Sequence, residues 1–230
     1  MFPLIGGAMT TLTLLAVSAL ANGSEPFRAQ GNEPSWSIRM SEGAITFQPM
    51  DGEAVGVKPI LTPRQDGTTE IYEAKVGADS FTLTIANKIC TDTMSGMPFP
   101  KSVTVALGAK TFSGCGGEPS KLLQGQWNIT EVDGKPVIAG SSPTVSFEAD
   151  GKINGNASCN RFFGGYTLSG EGLTAGDLGA SMMLCDQTLM DQEMKVLEIL
   201  KGLGGFGIGE DGKLILRTSE GRTIIATSAA

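Results

Sequence analysis

Histidine is absent from this chain of 230 residues. Catalytic serine and cysteine nucleophiles commonly depend on a histidine base, so the Ser-His-acid and Cys-His systems are excluded. The chain also lacks the Ser-x-x-Lys pattern of penicillin-recognising enzymes, the Gly-x-x-x-x-Gly-Lys-[Ser/Thr] phosphate loop, and a Gly-x-Gly-x-x-Gly stretch that precedes a helix. We therefore expect no catalytic residues and no cofactor.

Clusters of positive charge are absent as well. The net charge is −7, and neither sign forms a run of five like charges. Because phosphate binding relies on clustered Lys and Arg, this composition argues against nucleic acid as a partner. It also provides no polybasic segment for an anionic membrane surface.

The first residues contain no charged side chain. Residues 1–24 lack Asp, Glu, Lys and Arg, and an apolar run from Leu12 to Leu20 ends in the small-residue triplet Ala19-Leu20-Ala21. This pattern predicts a secretory signal peptide, residues 1–21, cut after Ala21. We expect a periplasmic or secreted protein with no stable membrane anchor after cleavage.

Cysteine is scarce, and its placement agrees with export. The four cysteines form two pairs along the chain, Cys90 with Cys115 and Cys159 with Cys185. In an oxidising compartment the simplest interpretation is two disulfides, although four cysteines allow three connectivities. A zinc site is disfavoured because neither pair has Cys-x-x-Cys spacing and no histidine can complete it. We predict no metal site.

A Gly/Pro/Ser-rich stretch, residues 114–120, divides the chain into two halves. We predict two domains, residues 25–116 and residues 120–228. Period-two alternation predicts strands in the first half at 35–40, 44–47, 80–85 and 103–107. We detect no capped helical pattern there, so a small barrel or sandwich is expected.

The second half combines strands with one helix. Asp150-Gly151 between two alternating segments predicts a hairpin. From Asp186 or Thr188 the apolar period changes to three and four residues, and Gly202 closes the predicted helix. Residues 188–191 have the form of a capping box. The stripe is predicted to pack on the sheet and follows Met190, Met194, Leu197 and Lys201, with Leu189, Val196 and Leu200 beside them. The fold class is thus α+β and mostly β, with two small antiparallel β domains.

A Gly- and Asn-rich stretch in the second half identifies a family. It reads Gly155-Asn156-Ala157-Ser158-Cys159-Asn160 and continues through Phe162, Gly164 and Tyr166. The stretch resembles the G-N-x-x-C-N-x-F-x-G-x-Y signature of the META domain, the family of the bacterial heat-shock protein HslJ. The resemblance implies a role in envelope stress tolerance, including resistance to certain antibiotics such as novobiocin, without known catalysis.

Three motifs in the first half resemble a family of uncharacterised bacterial envelope proteins. They are Gly31-Asn32-Glu33-Pro34-Ser35-Trp36, residues 90–100, and Gly114-Cys115-Gly116-Gly117. Residues 94–100 could form a binding lip held by Cys90. A structured loop that needs Pro and Gly for its turns is the interpretation that turn chemistry favours.

Four aromatic residues are candidates for interaction. On a regular strand Phe163 faces away from Phe162 and Tyr166, so one aromatic ring is expected to face solvent. The candidate interaction residues are Trp36, Phe99, Phe163 and Tyr166.

These observations favour a non-enzymatic binding or interaction protein whose partner is an unknown envelope protein or a small apolar ligand. In the interaction hypothesis we expect an exposed apolar or aromatic patch. The alternative is a carrier with an internal apolar pocket for a small molecule or lipid-like component. A second alternative is a hydrolase that uses carboxylates alone, which needs two of them about 5 to 10 Å apart in one cleft.

Overall fold

The computed structural model describes residues 26–41, 43–60 and 62–229. The predicted signal peptide lies outside the described residues. Within them the chain is mostly β-strand with two helices, and two curled antiparallel sheets dominate the structure. The predicted mostly-β α+β class is confirmed.

The first sheet has nine antiparallel strands in the order β4-β3-β2-β1-β11-β10-β7-β6-β5, and a separate ribbon pairs β8 with β9. The strands of this half are β1 (Phe27–Asn32), β2 (Ser35–Ser41), β3 (Ala44–Pro49), β4 (Val55–Val57), β5 (Arg64–Asp66), β6 (Thr69–Val76), β7 (Asp79–Ala86), β8 (Cys90–Thr91), β9 (Pro98–Phe99), β10 (Lys101–Leu107) and β11 (Lys110–Gly116). All four predicted strands are present, as β2, β3, β7 and β10.

Alternation along these strands builds one core on the inner face of the sheet. On β7 the side chains of Phe81, Leu83 and Ile85 are buried while their neighbours are more exposed. The Phe47 ring lies at the centre of this core and contacts the ring of Phe112 edge-on, with 5.1 Å between the centroids. The sheet curls around these side chains as a half-barrel.

The second sheet has the order β17-β16-β15-β14-β12-β21-β20-β19, with β13 paired to β12 and β18 paired to β16. The elements of this half are α1 (Ser120–Leu123), β12 (Gly125–Val132), β13 (Lys135–Pro136), β14 (Thr144–Phe147), β15 (Lys152–Asn156), β16 (Arg161–Ser169), β17 (Gly172–Ala175), β18 (Gly179–Ala180), α2 (Gln187–Lys201), β19 (Leu203–Ile208), β20 (Leu214–Thr218) and β21 (Thr223–Ser228). The end strands β17 and β19 approach each other, so the sheet is nearly a closed barrel.

Gly172 permits this approach. Its φ of +127° is a conformation that side chains disfavour, and a Cβ at this position would overlap the carbonyl oxygen of Gly204. Any larger residue would push the two end strands apart.

Helix α2 packs against the sheet and ends at Gly202, as predicted. The predicted capping box is wrong, because the N-cap is Asp186 and Thr188 already lies inside the helix. The predicted buried stripe is only partly correct. Val196 and Leu200 are buried, whereas Met194 is exposed.

Two polar residues of α2 occupy part of its inner face. The buried residues of the helix are Gln192, Glu193, Val196, Ile199 and Leu200. A count of apolar residues assigns Gln192 and Glu193 to the solvent side. The structure buries them because both side chains hydrogen-bond loops that lie against the helix.

The two halves are packed together through the segment that follows β8. Met97 is 6% exposed and belongs to the core of the second half, and Phe99 packs against the same core. Among the described residues, no helix has the length and apolar character needed to cross a membrane.

Candidate functional site

Three consecutive apolar side chains project into solvent between β18 and α2. Met182 is 97% exposed, Met183 is 56% exposed and Leu184 is 93% exposed. We call these residues the 182–184 loop. Scattered exposed apolar residues are ordinary, but three in a row on one ordered loop form a patch of the kind that binds partners.

The loop is tied at both ends to the signature stretch. A disulfide joins Cys185, which follows the loop, to Cys159. Asn160 holds the loop itself, since its Oδ1 accepts hydrogen bonds from Met183 N at 2.7 Å and from Ser181 Oγ at 2.8 Å. Its Nδ2 donates to the Met183 carbonyl oxygen at 3.1 Å. The backbone at the centre of the loop is therefore fixed while its side chains stay free.

Glu193 on α2 holds the signature turn at Cys159 and Asn160 in place. Its carboxylate is 6% exposed and accepts hydrogen bonds from Cys159 N at 3.1 Å, from Asn160 N at 2.6 Å and from Asn160 Nδ2 at 2.9 Å. Hydrogen bonds to an ionised group are shorter and stronger than neutral ones, so this carboxylate orients the signature turn.

Gln192 fixes the neighbouring loops in the same way. Its Nε2 donates to Ser158 Oγ at 2.6 Å and to Ser141 Oγ at 3.1 Å, and its Oε1 accepts from Ile138 N at 2.8 Å. Ser158 itself has a φ of 141°. The strained backbone at Ser158 is held by this hydrogen bond and by Asn156 Oδ1, which accepts from Ser158 N at 2.8 Å.

The signature stretch thus has a structural task, which is to present the 182–184 loop. The predicted Cys159–Cys185 disulfide is present, and it fastens the strand-rich part of this half to the segment just before α2. The other predicted bond, Cys90–Cys115, is also present. Sequence reasoning missed the buried pair Gln192 and Glu193, since polar residues in an amphipathic helix give no signal of burial.

The candidate aromatic residues of the second half lie on β16 and face opposite ways. Phe163 is 65% exposed, as expected for one aromatic of this strand. Tyr166 is half-buried, packs edge-on against Phe147 with 5.2 Å between centroids, and donates its hydroxyl hydrogen to the Glu148 carbonyl oxygen. Burial, together with the charge of Asp150, raises the pKa of Tyr166.

The candidate aromatic residues of the first half are placed elsewhere. The Trp36 ring is buried in the first core and its indole N–H donates to the Ser113 carbonyl oxygen at 3.2 Å. Phe99 is half-buried against the second core. The structure therefore does not bring the four candidates into one site. Phe163 pairs with Gly179 on β18, the strand that precedes the 182–184 loop in sequence.

A cleft of about 620 Å³ lies where the two halves meet. It is lined by β1, the segment between β8 and β9, the start of α1 and the turn after β16, including Arg28, Gln30, Asp92, Met94, Met97, Phe99, Glu118 and Leu168. Its volume falls in the range of small-molecule pockets. The predicted lip, residues 94–100, contributes Met94, Met97 and Phe99 to the lining of this cleft.

Asp92 is the buried carboxylate of the cleft, and its oxygens are occupied. Oδ1 accepts from Ser95 N at 2.7 Å, Ser95 Oγ at 2.8 Å and Met94 N at 3.1 Å, while Oδ2 accepts from Asn32 Nδ2 at 2.8 Å. Burial acts to raise the pKa of Asp92, but these hydrogen bonds outweigh it and hold the pKa below its ordinary value. A general acid needs the opposite shift.

The described residues contain no group of three or more His, Cys, Asp or Glu side chains positioned to hold a metal ion. The two buried carboxylates, Asp92 and Glu193, both hold loops in place through hydrogen bonds.

The fold and the disulfide-fixed loop define a mostly-β protein whose second half is a near-barrel with one packed helix. Residues 120–230 match the family model of the META domain. This match supports the resemblance of the C-terminal half to the META domain that the signature stretch predicted. The predicted resemblance of the first half to an envelope family stays a prediction.

Two solved structures are similar to part of the chain. One, described as the NMR structure of a protein, is 29% identical, covers 48% of this chain and 94% of its own, and has a TM-score of 0.40. The other is an NMR structure of a protein from Burkholderia xenovorans, 22% identical, covering 48% of this chain and 86% of its own, also with a TM-score of 0.40. No curated protein matches the sequence.

Proposed function

We propose that this protein is a non-enzymatic binding protein of the bacterial envelope, periplasmic or secreted, that supports stress tolerance by contacting an envelope protein. The 182–184 loop carries the proposal. Its apolar side chains are exposed to solvent although the backbone of Met183 is hydrogen-bonded on both sides by Asn160.

A partner gains affinity from such a loop at low entropic cost. Ordering a flexible segment on binding opposes association, and here the disulfide and Asn160 have already ordered it. Methionine side chains adapt to irregular apolar surfaces, which suits a contact that must fill a shallow pocket. The partner expected from this chemistry has an apolar pocket that accepts Met182 and Leu184.

The location in the envelope rests on cysteine chemistry. All four cysteines are paired in two disulfides. Such bonds persist in oxidising compartments such as the periplasm and are rare in the cytosol. This supports the prediction of export.

The proposal is tested by in-cell cross-linking of the full chain, with Met182→Ser/Leu184→Ser compared with wild type. We expect the double variant to lose at least tenfold of the yield of a cross-linked envelope protein, because two apolar anchors are removed. Met50→Ser is the matched control, since Met50 is an exposed methionine of the first half. Equal yields from the double variant and wild type, or no cross-linked protein from any of the three, would contradict the proposal.

A second candidate function is a small-molecule carrier, and the cleft between the halves favours it. Met97 and Phe99 contribute apolar side chains to the lining of the cleft, and Arg28 and Glu118 contribute charged ones. Native mass spectrometry of protein isolated from its own envelope distinguishes the two functions. Release of a small molecule on mild denaturation supports the carrier function. A protein isolated without any bound small molecule supports the 182–184 loop as the binding surface.

A further inference from the structure

The outer face of the second sheet carries two rows of side chains, all of them polar except Phe163. The first row joins register partners on four neighbouring strands, Gln126, Ser146, Asn154 and Phe163. The second row lies beside it and contains Asn128, Thr144, Asn156 and Arg161. Neighbouring strands are about 4.8 Å apart, so each row spaces its side chains evenly across the sheet.

The rows border a groove of about 390 Å³. Its polar lining comes from Gln126, Thr144, Ser146, Asn154, Asn156 and Arg161. This volume is at the small end of ligand pockets and suits one or two units of a chain that continues along the surface.

Several of these groups are free to bind a ligand. Within the described chain, the side chains of Gln126, Ser146 and Arg161 form no hydrogen bond with another residue. Asn154 is oriented by donating to Glu148 Oε1 at 2.6 Å, which leaves its Oδ1 as an acceptor. The groove thus offers both donors and acceptors, most of them uncharged.

An aromatic platform stands at the end of the first row. The Phe163 ring is 65% exposed and lies against Gly179, where a Cβ would come within 2.8 Å of the ring. Gly179 lets the ring lie over β18 with its outer surface uncovered. The negative face of an aromatic ring attracts the C–H groups of a ligand stacked on it.

Amide and hydroxyl groups beside an exposed ring match the chemistry of a sugar chain. A pyranose ring has an apolar C–H face for the aromatic ring and hydroxyl groups at its edge for Asn, Gln and Ser. A nucleic acid would need clustered cations, and among the described residues that line the groove only Arg161 is charged. An added peptide strand would need an open sheet edge, but β14 and β15 are paired on both sides.

We propose that this face binds a glycan chain built from uncharged, N-acetylated or hydroxylated pyranose units, with Phe163 as the stacking platform. Gln126, Ser146 and Asn154 bind the hydroxyl or amide groups, and Arg161 binds an acceptor oxygen at the end of the groove. This surface differs from the 182–184 loop, so it adds a ligand to the proposed protein contact.

The test is isothermal titration of the full chain with chitohexaose and with cellohexaose, which share the backbone linkage and differ in the N-acetyl group. We expect saturable binding of chitohexaose or cellohexaose, and at least a tenfold weaker affinity for Phe163→Ala and for Asn154→Ala/Arg161→Ala. Thr167→Ala is the matched control, because Thr167 is exposed on the same strand outside the groove. Its affinity should equal that of wild type.

Comparison of the two sugars shows which chemical groups of the glycan the protein recognises. Tighter binding of chitohexaose assigns the amide contacts to an N-acetylated glycan, and equal binding assigns recognition to the hydroxyl groups. The Met182→Ser/Leu184→Ser variant should bind either sugar as wild type does, so failure of the loop proposal and failure of this one are distinguishable. Absence of binding to both sugars, or unchanged affinity in folded Phe163→Ala, would overturn the glycan proposal.

Discussion

Glu193 is a buried carboxylate that fixes the position of the exposed 182–184 loop through its hydrogen bonds. It accepts three hydrogen bonds from Cys159 and Asn160, and Asn160 in turn holds Met183. A buried charge without partners is costly, so the carboxylate and the signature turn require each other. The 182–184 loop is ordered because the buried hydrogen bonds between Glu193 and Asn160 hold the residue that binds its backbone.

The first prediction concerns Glu193→Gln. The amide oxygen can still accept from the two backbone N–H groups, but the amide nitrogen then faces Asn160 Nδ2, donor against donor. We expect the free energy of unfolding to fall by about 2 kcal/mol, since hydrogen bonds to charged groups contribute about 1.5–3 kcal/mol. Urea denaturation measures this change in the free energy of unfolding. Glu220→Gln, the same change at an exposed residue, should shift stability by less than about 0.5 kcal/mol. Equal effects of the two variants would show that the buried network adds nothing.

Single residues were predictable from sequence where a motif named them. Cys159 and Asn160 stand in the signature, and the expected exposure of one aromatic was met by Phe163. Glu193 could not be predicted, because its partners are 33 and 34 residues away in the sequence. Nothing local distinguishes it from an ordinary acid on the solvent side of a helix.

At the scale of elements, strands were predictable because burial alternates along them. The β7 and β10 segments have a period of two in sequence and in exposure. The short pieces β8, β9 and β18 contain two residues each and leave no periodic signal. The face of α2 was predicted incompletely because Gln192 and Glu193 are buried by tertiary hydrogen bonds rather than by hydropathy.

The element-scale prediction compares the two disulfides. They join residues 26 and 25 positions apart, so removal of either by paired Cys→Ala changes should cost a similar amount, about 3 kcal/mol. Only Cys159→Ala/Cys185→Ala should speed hydrogen exchange in residues 181–185, because only that bond ties the 182–184 loop. Mass-spectrometric exchange measures this, with Cys90→Ala/Cys115→Ala as the control. Equal protection of the loop in both variants would show that Asn160 suffices to hold it.

At the scale of the whole molecule, the two halves are joined by an apolar contact that composition did not reveal. A Gly/Pro/Ser-rich stretch separates them in sequence, yet Met97 of the first half is buried in the core of the second. The Cys90–Cys115 bond ties the base of the segment that carries Met97 to β11. The connection between the halves therefore depends on this packing as well as on the covalent linker.

The last prediction tests this contact with Met97→Ala. Loss of a buried methionine side chain typically costs about 2–5 kcal/mol, and here the loss falls on the contact that couples the halves. We expect calorimetry of wild type to show one unfolding transition and that of Met97→Ala to show two, because each sheet keeps its own core. Met94→Ala is the control from the same segment, since Met94 is 81% exposed and its removal should leave a single transition. If Met97→Ala also unfolds in one transition at the wild-type temperature, the halves are coupled by contacts other than this side chain.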